Sequence, residues 1–174
     1  KFPYLQVPDI PAEVQYPHIT IYHELETDTA GSGRYRGGAG IRYSLRFYDP
    51  RPGIVMFGDG MKNPPYGLNG GQPGSLNRAR LRTTESTIPL RSKENLRHLS
   101  AGDTIDLVSS GGGGWGNPFE RDPHKVFDDV LDGIVSPDKA RHVYGVAIGP
   151  KGIESEETRR LRRVRSAQSE DNQL

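Results

Sequence analysis

Three glycine clusters hold the residues best suited to chemistry. "AGSGRYRGGAG", residues 30–40, sets Arg34, Tyr35 and Arg36 in a glycine-bounded loop. Such a loop bares backbone N–H groups, and two guanidinium forks match a carboxylate or phosphate. The pattern fits an anion or substrate site. It fits equally an internal tie in which the arginines bond loop carbonyls, or a contact with a partner. "SSGGGGWGNPFERDP", residues 109–123, places Gly111, Gly112, Gly113 and Gly114 directly before Trp115 and Gly116, and Trp115 is the only tryptophan in the chain. The third cluster, "GDGMKNPPYGLNGGQPGS", residues 58–75, has the texture of a long ordered loop.

The run at 111–116 formally spells G-x-G-x-x-G after a strand. A dinucleotide site needs a helix to begin there, with its N-terminus on the pyrophosphate. Asn117–Pro118 follows instead, and the next helix signal waits until Pro123. No Gly-Lys-Ser/Thr of a P-loop occurs. A flexible linker does not explain an embedded Trp115 and Phe119. What remains is a rigid structural junction where glycines let two backbones pass closely, with Trp115 as its apolar anchor. The histidines, His18, His23, His98, His124 and His142, include no His-x-His or Glu-flanked helical pair, so no metal site is expected within the chain. Cysteine is absent, which excludes thiolate ligands and disulfides. No nucleophile elbow supports Ser-His-Asp catalysis. Catalytic residues stay unassigned.

The elements that must hold these loops are mainly strands. "HITIYHEL" (18–25), "IRYSLRFY" (41–48) and "TIDLVSS" (104–110) alternate apolar and polar residues, and "GIVMFGDG" contains a short run of the buried type. After the glycines the period changes. Asp122–Pro123 and Ser136–Pro137 are N-cap and first-turn pairs. Val126, Phe127, Val130 and Leu131 follow the first at helical spacing, and Ala140, Val143 and Tyr144 the second; Gly133 and Gly145 end the two segments. The expected fold is α+β, a mainly β-sheet body with long glycine-rich loops and a C-terminal pair of short helices. Its expected divisions are a proline-rich extended arm over 1–17, a domain over 18–150, and a charged, partly helical tail over 151–174.

Apolar residues are 33% of the 174, and net charge is +1. So small an apolar share predicts a body that completes its core against a partner. The balanced charge gives no field for nucleic acid or membrane. No run approaches a transmembrane span and no signal peptide is visible, so the expected compartment is the cytoplasm. The chain opens "KFPYLQVPDIP" without methionine, as a trimmed or excised piece would.

"GSGRYRGGAGIRYSLRF", "PPYGLNGGQPG", "LRSK" and "GDTIDLVSSGGGGWGNPFERDPHKVFDDVLDGIVSPDKARHVYGV" together resemble the C-terminal portion of the hydantoinase B family, over roughly residues 28–148. That family includes subunits of 5-oxoprolinase and of acetone and acetophenone carboxylases. The resemblance implies a small or fragmentary subunit of an ATP-dependent carboxylase or cyclic-amide hydrolase, with a ketone carboxylase preferred. It implies two partners: a hydantoinase A-like ATP-binding subunit, and a larger hydantoinase B-like chain. ATP and a divalent metal are expected in those partners and no cofactor on this chain. The alternative is a free-standing ligand-binding β module with an anion site at Arg34 and Arg36.

Overall fold

The structure is a computed structural model, and it describes residues 9–49 and 53–171. The chain forms two compact units. Of the described residues, the first comprises 9–24, 41–49, 53–62 and 77–109; the second comprises 25–40, 63–76 and 110–171.

The first unit is a five-stranded sheet in the order β1 (His18–Glu26), β2 (Gly40–Phe47), β7 (Thr104–Val108), β4 (Arg78–Arg82), β5 (Thr87–Pro89). The ends of β1 and β2 run on into the second unit. Strand β7 pairs antiparallel with β2 and β4, so Leu45, Ile105 and Leu81 lie side by side across three strands. An antiparallel pair, β3 (Ile54–Phe57) and β6 (Lys93–Leu96), supplies Ile54, Met56 and Leu96 to the same core. Phe47, Ala79, Leu81, Leu90, Leu99 and Ile105 are its buried members.

The second unit holds α2 (Pro123–Leu131), α3 (Pro137–Tyr144), a small β8 (Ile148–Gly149) and β9 (Gly152–Ile153) pair, and α4 (Ser155–Asp171). Asp122 and Ser136 cap α2 and α3 by accepting from the His124 and Lys139 amides, with proline in each first turn. Gly145 closes α3 in the left-handed conformation at φ 63°. Val126, Ile134, Val135, Ala140, Tyr144 and Val146 form the core. Loop residues 27–30 are tied to the turn between the helices. Asp28 accepts from the Ser136 amide at 2.9 Å, and the Lys139 ammonium donates to the Asp28 and Ala30 carbonyls, each at 3.0 Å.

The structure corrects or completes several of these local readings. The 1–17 arm is not extended throughout: Asp9–Gln15 is a helix, α1, and residues 1–8 lie outside the described ones. Pro11 falls in its first turn, where an amide has no intrahelical partner to lose. Ile19 and Ile21 are exposed, because β1 is an edge strand of the sheet. The "IVMF" run is not buried on both faces: Val55 and Phe57 point outward while Ile54 and Met56 pack inward. Leu131 is exposed in the last turn of α2. The tail is helical and partly docked, since Thr158 is buried with its hydroxyl accepting the Ala147 amide at 3.1 Å, and Arg162 donates to the Arg121 carbonyl at 2.7 Å.

Candidate functional site

In the second unit the three segments 29–40, 65–76 and 110–117 are threaded against one another by their backbones. Gly31 N–H donates to Gly112 O at 2.9 Å, Gly112 N–H to Gly38 O at 2.9 Å, and Gly114 N–H to Gln72 O at 2.9 Å. Gln72 N–H in turn reaches Ser32 O at 2.7 Å. Glycine is required here by distance. A Cβ on Gly33 would lie 2.6 Å from both N and O of Trp115, and one on Gly31 would lie 2.6 Å from Gly114 N. On Gly113 it would fall on the Tyr66 carbonyl, and on Gly114 on the Ser32 carbonyl. The amides of Gly112, Gly114 and Gly116 are committed to protein carbonyls, and that of Gly111 to the Ser75 hydroxyl. A nucleotide phosphate would find none of these four free, which removes the physical basis of a phosphate cradle.

Trp115 joins this junction through its backbone. Its N–H and C=O exchange hydrogen bonds with Tyr35 at 2.8 and 3.0 Å, and it also bridges to Leu68. Its indole does not anchor a core: it is 44% exposed and lies 5.6 Å from the Tyr35 ring. Because the glycine segments pack backbone to backbone, they leave no cavity for a large ring to fill.

Arg34 and Arg36 part company. Arg36 donates from Nε to Asp129 Oδ1 at 2.8 Å and from Nη1 to the Gly37 carbonyl at 2.9 Å. Arg121 holds the other oxygen of the same carboxylate, from Nε at 3.2 Å and Nη2 at 2.8 Å, and reaches Arg34 O at 3.3 Å with Nη1. The Asp129 side chain is only 7% exposed. So Arg36 belongs to a buried triad that stitches the glycine loop to α2 across 93 residues of sequence. Arg34 stands outside it, half-exposed, stacked near Tyr35 at 5.8 Å and 3.7 Å from Glu120. Only Arg34 and Tyr35 of the three present their side chains outward.

A second polar constellation, unmarked in sequence, occupies one face of the sheet in the first unit. Asp106 on β7 accepts from Tyr22 Oη at 3.0 Å and from Ser44 Oγ at 2.7 Å. Arg82 completes the set with Nε to Oδ2 at 2.6 Å and Nη2 to Oδ1 at 3.1 Å. Burial alone would raise the Asp106 carboxyl, but the hydrogen bonds from Arg82, Ser44 and Tyr22 outweigh it and hold the group below the ordinary range. The Tyr22 phenol moves up, first by burial and then by its bond to the carboxylate. Strand register puts Arg42, Arg46, Arg78 and Arg80 on this face as well. Arg42 pairs with Glu24 at 2.5 Å and lies over the Tyr22 ring at 5.1 Å. Alternation along "RARLR" was the available sequence signal, but a run of arginines offers no contrast between a solvated face and a network. Among the described residues no cluster of His, Cys, Asp and Glu has the form of a metal centre, and no helix is long and apolar enough to cross a membrane.

Residues 11–118 match the family described as Hydantoinase B/oxoprolinase, a span that contains all three glycine segments. The chain belongs to that family. It is 38% identical over 155 residues to the B-type subunit of a D-/L-hydantoinase from a Pseudomonas species, a match that covers 87% of this chain and 26% of that protein. The structure of ATP-dependent caprolactamase from Pseudomonas jessenii superposes with a TM-score of 0.72 at 29% identity, covering 88% of this chain and 28% of that one. Nucleotide-free acetone carboxylase shares the fold at TM-score 0.72 and 23% identity, over 90% of this chain and 26% of the other. The chain thus spans about a quarter of the length of the relatives it matches. Their agreement extends the expected α+β body to solved structures.

Proposed function

We propose that this chain completes a hydantoinase B-like subunit within an ATP-dependent complex that opens cyclic amides or carboxylates ketones. It supplies structure and contacts, and catalysis depends on the rest of the assembly. The observation that carries the reading is the glycine junction: the amides of Gly111, Gly112, Gly114 and Gly116 are bonded internally and the loop arginine Arg36 is locked in a buried triad, so this motif reads as architectural. The partners in this reading are a hydantoinase A-like ATP-binding subunit and the larger part of the hydantoinase B-like subunit. ATP and a divalent metal belong to those partners, and the complex is cytoplasmic.

The expected preference for a ketone carboxylase has no advantage over cyclic-amide hydrolysis. By sequence, a hydantoinase subunit matches at 38%, a caprolactamase subunit at 33% and an acetone carboxylase subunit at 26%, and all three are relatives of one family. Ring opening and ketone carboxylation are therefore kept side by side as the two reactions to assay. The free-standing β module is disfavoured because Arg36 has no free fork to offer an anion. Native mass spectrometry of the complex from its source is expected to show this polypeptide with an ATP-binding subunit. The purified complex is then assayed for ATP-dependent opening of hydantoin or a lactam, and for bicarbonate-dependent consumption of a ketone. A monomer with neither partner, binding phosphate or carboxylate by itself, would overturn the proposal.

A further inference from the structure

Three side chains at the glycine junction form an exposed apolar row. Tyr35, Trp115 and Leu68 are 57%, 44% and 54% exposed, and they are adjacent because Trp115 bridges to both of the others. Directly bridged residues share a face, so the rings and the leucine stand side by side. Arg34 extends the row over the Tyr35 ring.

Two properties separate this row from ordinary surface hydrophobes. The first is composition: tryptophan, tyrosine and arginine are the side chains that dominate binding energy at protein interfaces. The second is rigidity. The backbone of each member is fixed by hydrogen bonds at 2.8 to 3.0 Å, beside glycines whose backbones are in direct contact. A pre-ordered aromatic patch loses little conformational entropy on contact, which is what makes such a patch bind well.

We propose that the Tyr35–Trp115–Leu68 row is the surface on which the remainder of the hydantoinase B-like polypeptide docks. The choice of occupant follows from length. In relatives that share this fold about three quarters of the chain lies outside the matched region, so that mass must pack against the matched quarter somewhere. Contacts of that kind resemble a core cut in half, apolar and well packed. A rigid row of Trp, Tyr and Leu suits them better than it suits the more polar surface of a separable subunit. This inference rests on the proposal that the chain works as part of such a hydantoinase B-like assembly.

Hydroxyl-radical footprinting read by mass spectrometry tests it residue by residue, comparing the isolated chain with the assembled complex. Oxidation of Trp115 and Tyr35 is expected to fall at least several-fold on assembly. A photo-crosslinking residue in place of Leu68 is expected to capture the hydantoinase B-like portion. Tyr35→Ala with Trp115→Ala, in chains whose melting temperature is retained, is expected to weaken assembly by about 30-fold or more, the size of a hot-spot loss. An assembled complex in which both rings oxidise as fast as in the free chain overturns the docking surface and leaves the complex standing. Crosslinks that land on the ATP-binding subunit, or on a second copy of this chain, overturn the choice of occupant. Failure to find any complex overturns instead the functional reading beneath it.

Discussion

In the first unit Ile105, 2% exposed, is held among Phe47, Leu81, Leu90 and Leu99. In the second, the tightest packing between residues 29 and 116 involves glycines whose neighbours are carbonyl oxygens and amide nitrogens. One region is filled by side chains from alternating strands. The other is closed by three backbones in direct contact and pinned to a helix by one carboxylate between two guanidinium groups. The first gains stability from apolar area removed from water. The second gains it from hydrogen bonds and from close approach, with almost no side chain at the contact. The difference explains how a chain so poor in apolar residues forms ordered units: part of its interior does not use them.

Removing the pin is the most damaging way to test this contrast. Asp129→Ala leaves the Arg121 guanidinium buried without its counter-ion, a loss of about 3–5 kcal/mol. Urea unfolding is expected to show that drop, and restoration of Asp at the site is expected to reverse it. If Asp129→Ala melts like the wild type, the triad is not what closes the second unit.

Methyl insertion sharpens the comparison next. Gly113→Ala puts a carbon onto the Tyr66 carbonyl and is expected to cost at the upper end of the ~1–3 kcal/mol typical of overpacking, or more. Gly38→Ala meets nothing within 4 Å and should change the melting point little. Equal effects from the two would show that glycine content, and not contact, explains the junction.

The polar face of the first unit gives a smaller, pH-dependent effect. Asp106 is held below its ordinary value of 3.8 in the folded chain. A depressed carboxyl contributes stability that is full above the unfolded value and is lost as pH falls through the folded one. Asp106→Asn is therefore expected to destabilise the chain at neutral pH by about 1.5 kcal/mol, the lower range for bonds to a charged group. The difference from the wild type should shrink below pH 4, measured by thermal melts across pH. A difference that stays constant down to pH 2 would rule out the network as its source.

The smallest expected effect separates the two loop arginines. Arg34→Ala removes only a half-exposed contact with Glu120 at 3.7 Å and should alter stability by less than about 0.5 kcal/mol. Arg36→Ala breaks a bond to a buried carboxylate and should be clearly destabilising by the same measurement. A reversed order would return Arg36 to the candidate anion site.

Local chemistry was legible wherever it acts over a few residues. Asp122–Pro123, Ser136–Pro137 and Gly145 declared the ends of α2 and α3, because a cap is made by neighbours in sequence. Alternation declared β2 and β7, because one face of each meets the core. Proline content misled at α1, since Pro11 is harmless in a first turn. The exposure of Ile19 and Ile21 was not legible, because alternation shows that a strand has two faces and not whether an edge strand's apolar face is covered. Nor was the arginine-rich β4, whose run has no apolar contrast to mark it beyond Leu81 and Ala79.

By itself, then, the amino-acid order determined the alternating strands β2 and β7, the caps of α2 and α3, the positions where backbones would crowd, and the family. Tertiary structure alone decided which arginine is structural and which is displayed. Arg34 and Arg36 are two residues apart, each between Tyr35 and a glycine, yet only Arg36 finds Asp129, because the carboxylate comes from a helix 93 residues on. It likewise decided that Trp115 faces solvent beside Tyr35. A ring's environment is set by which distant backbones close around it, and three glycine segments close on each other before any side chain can enter.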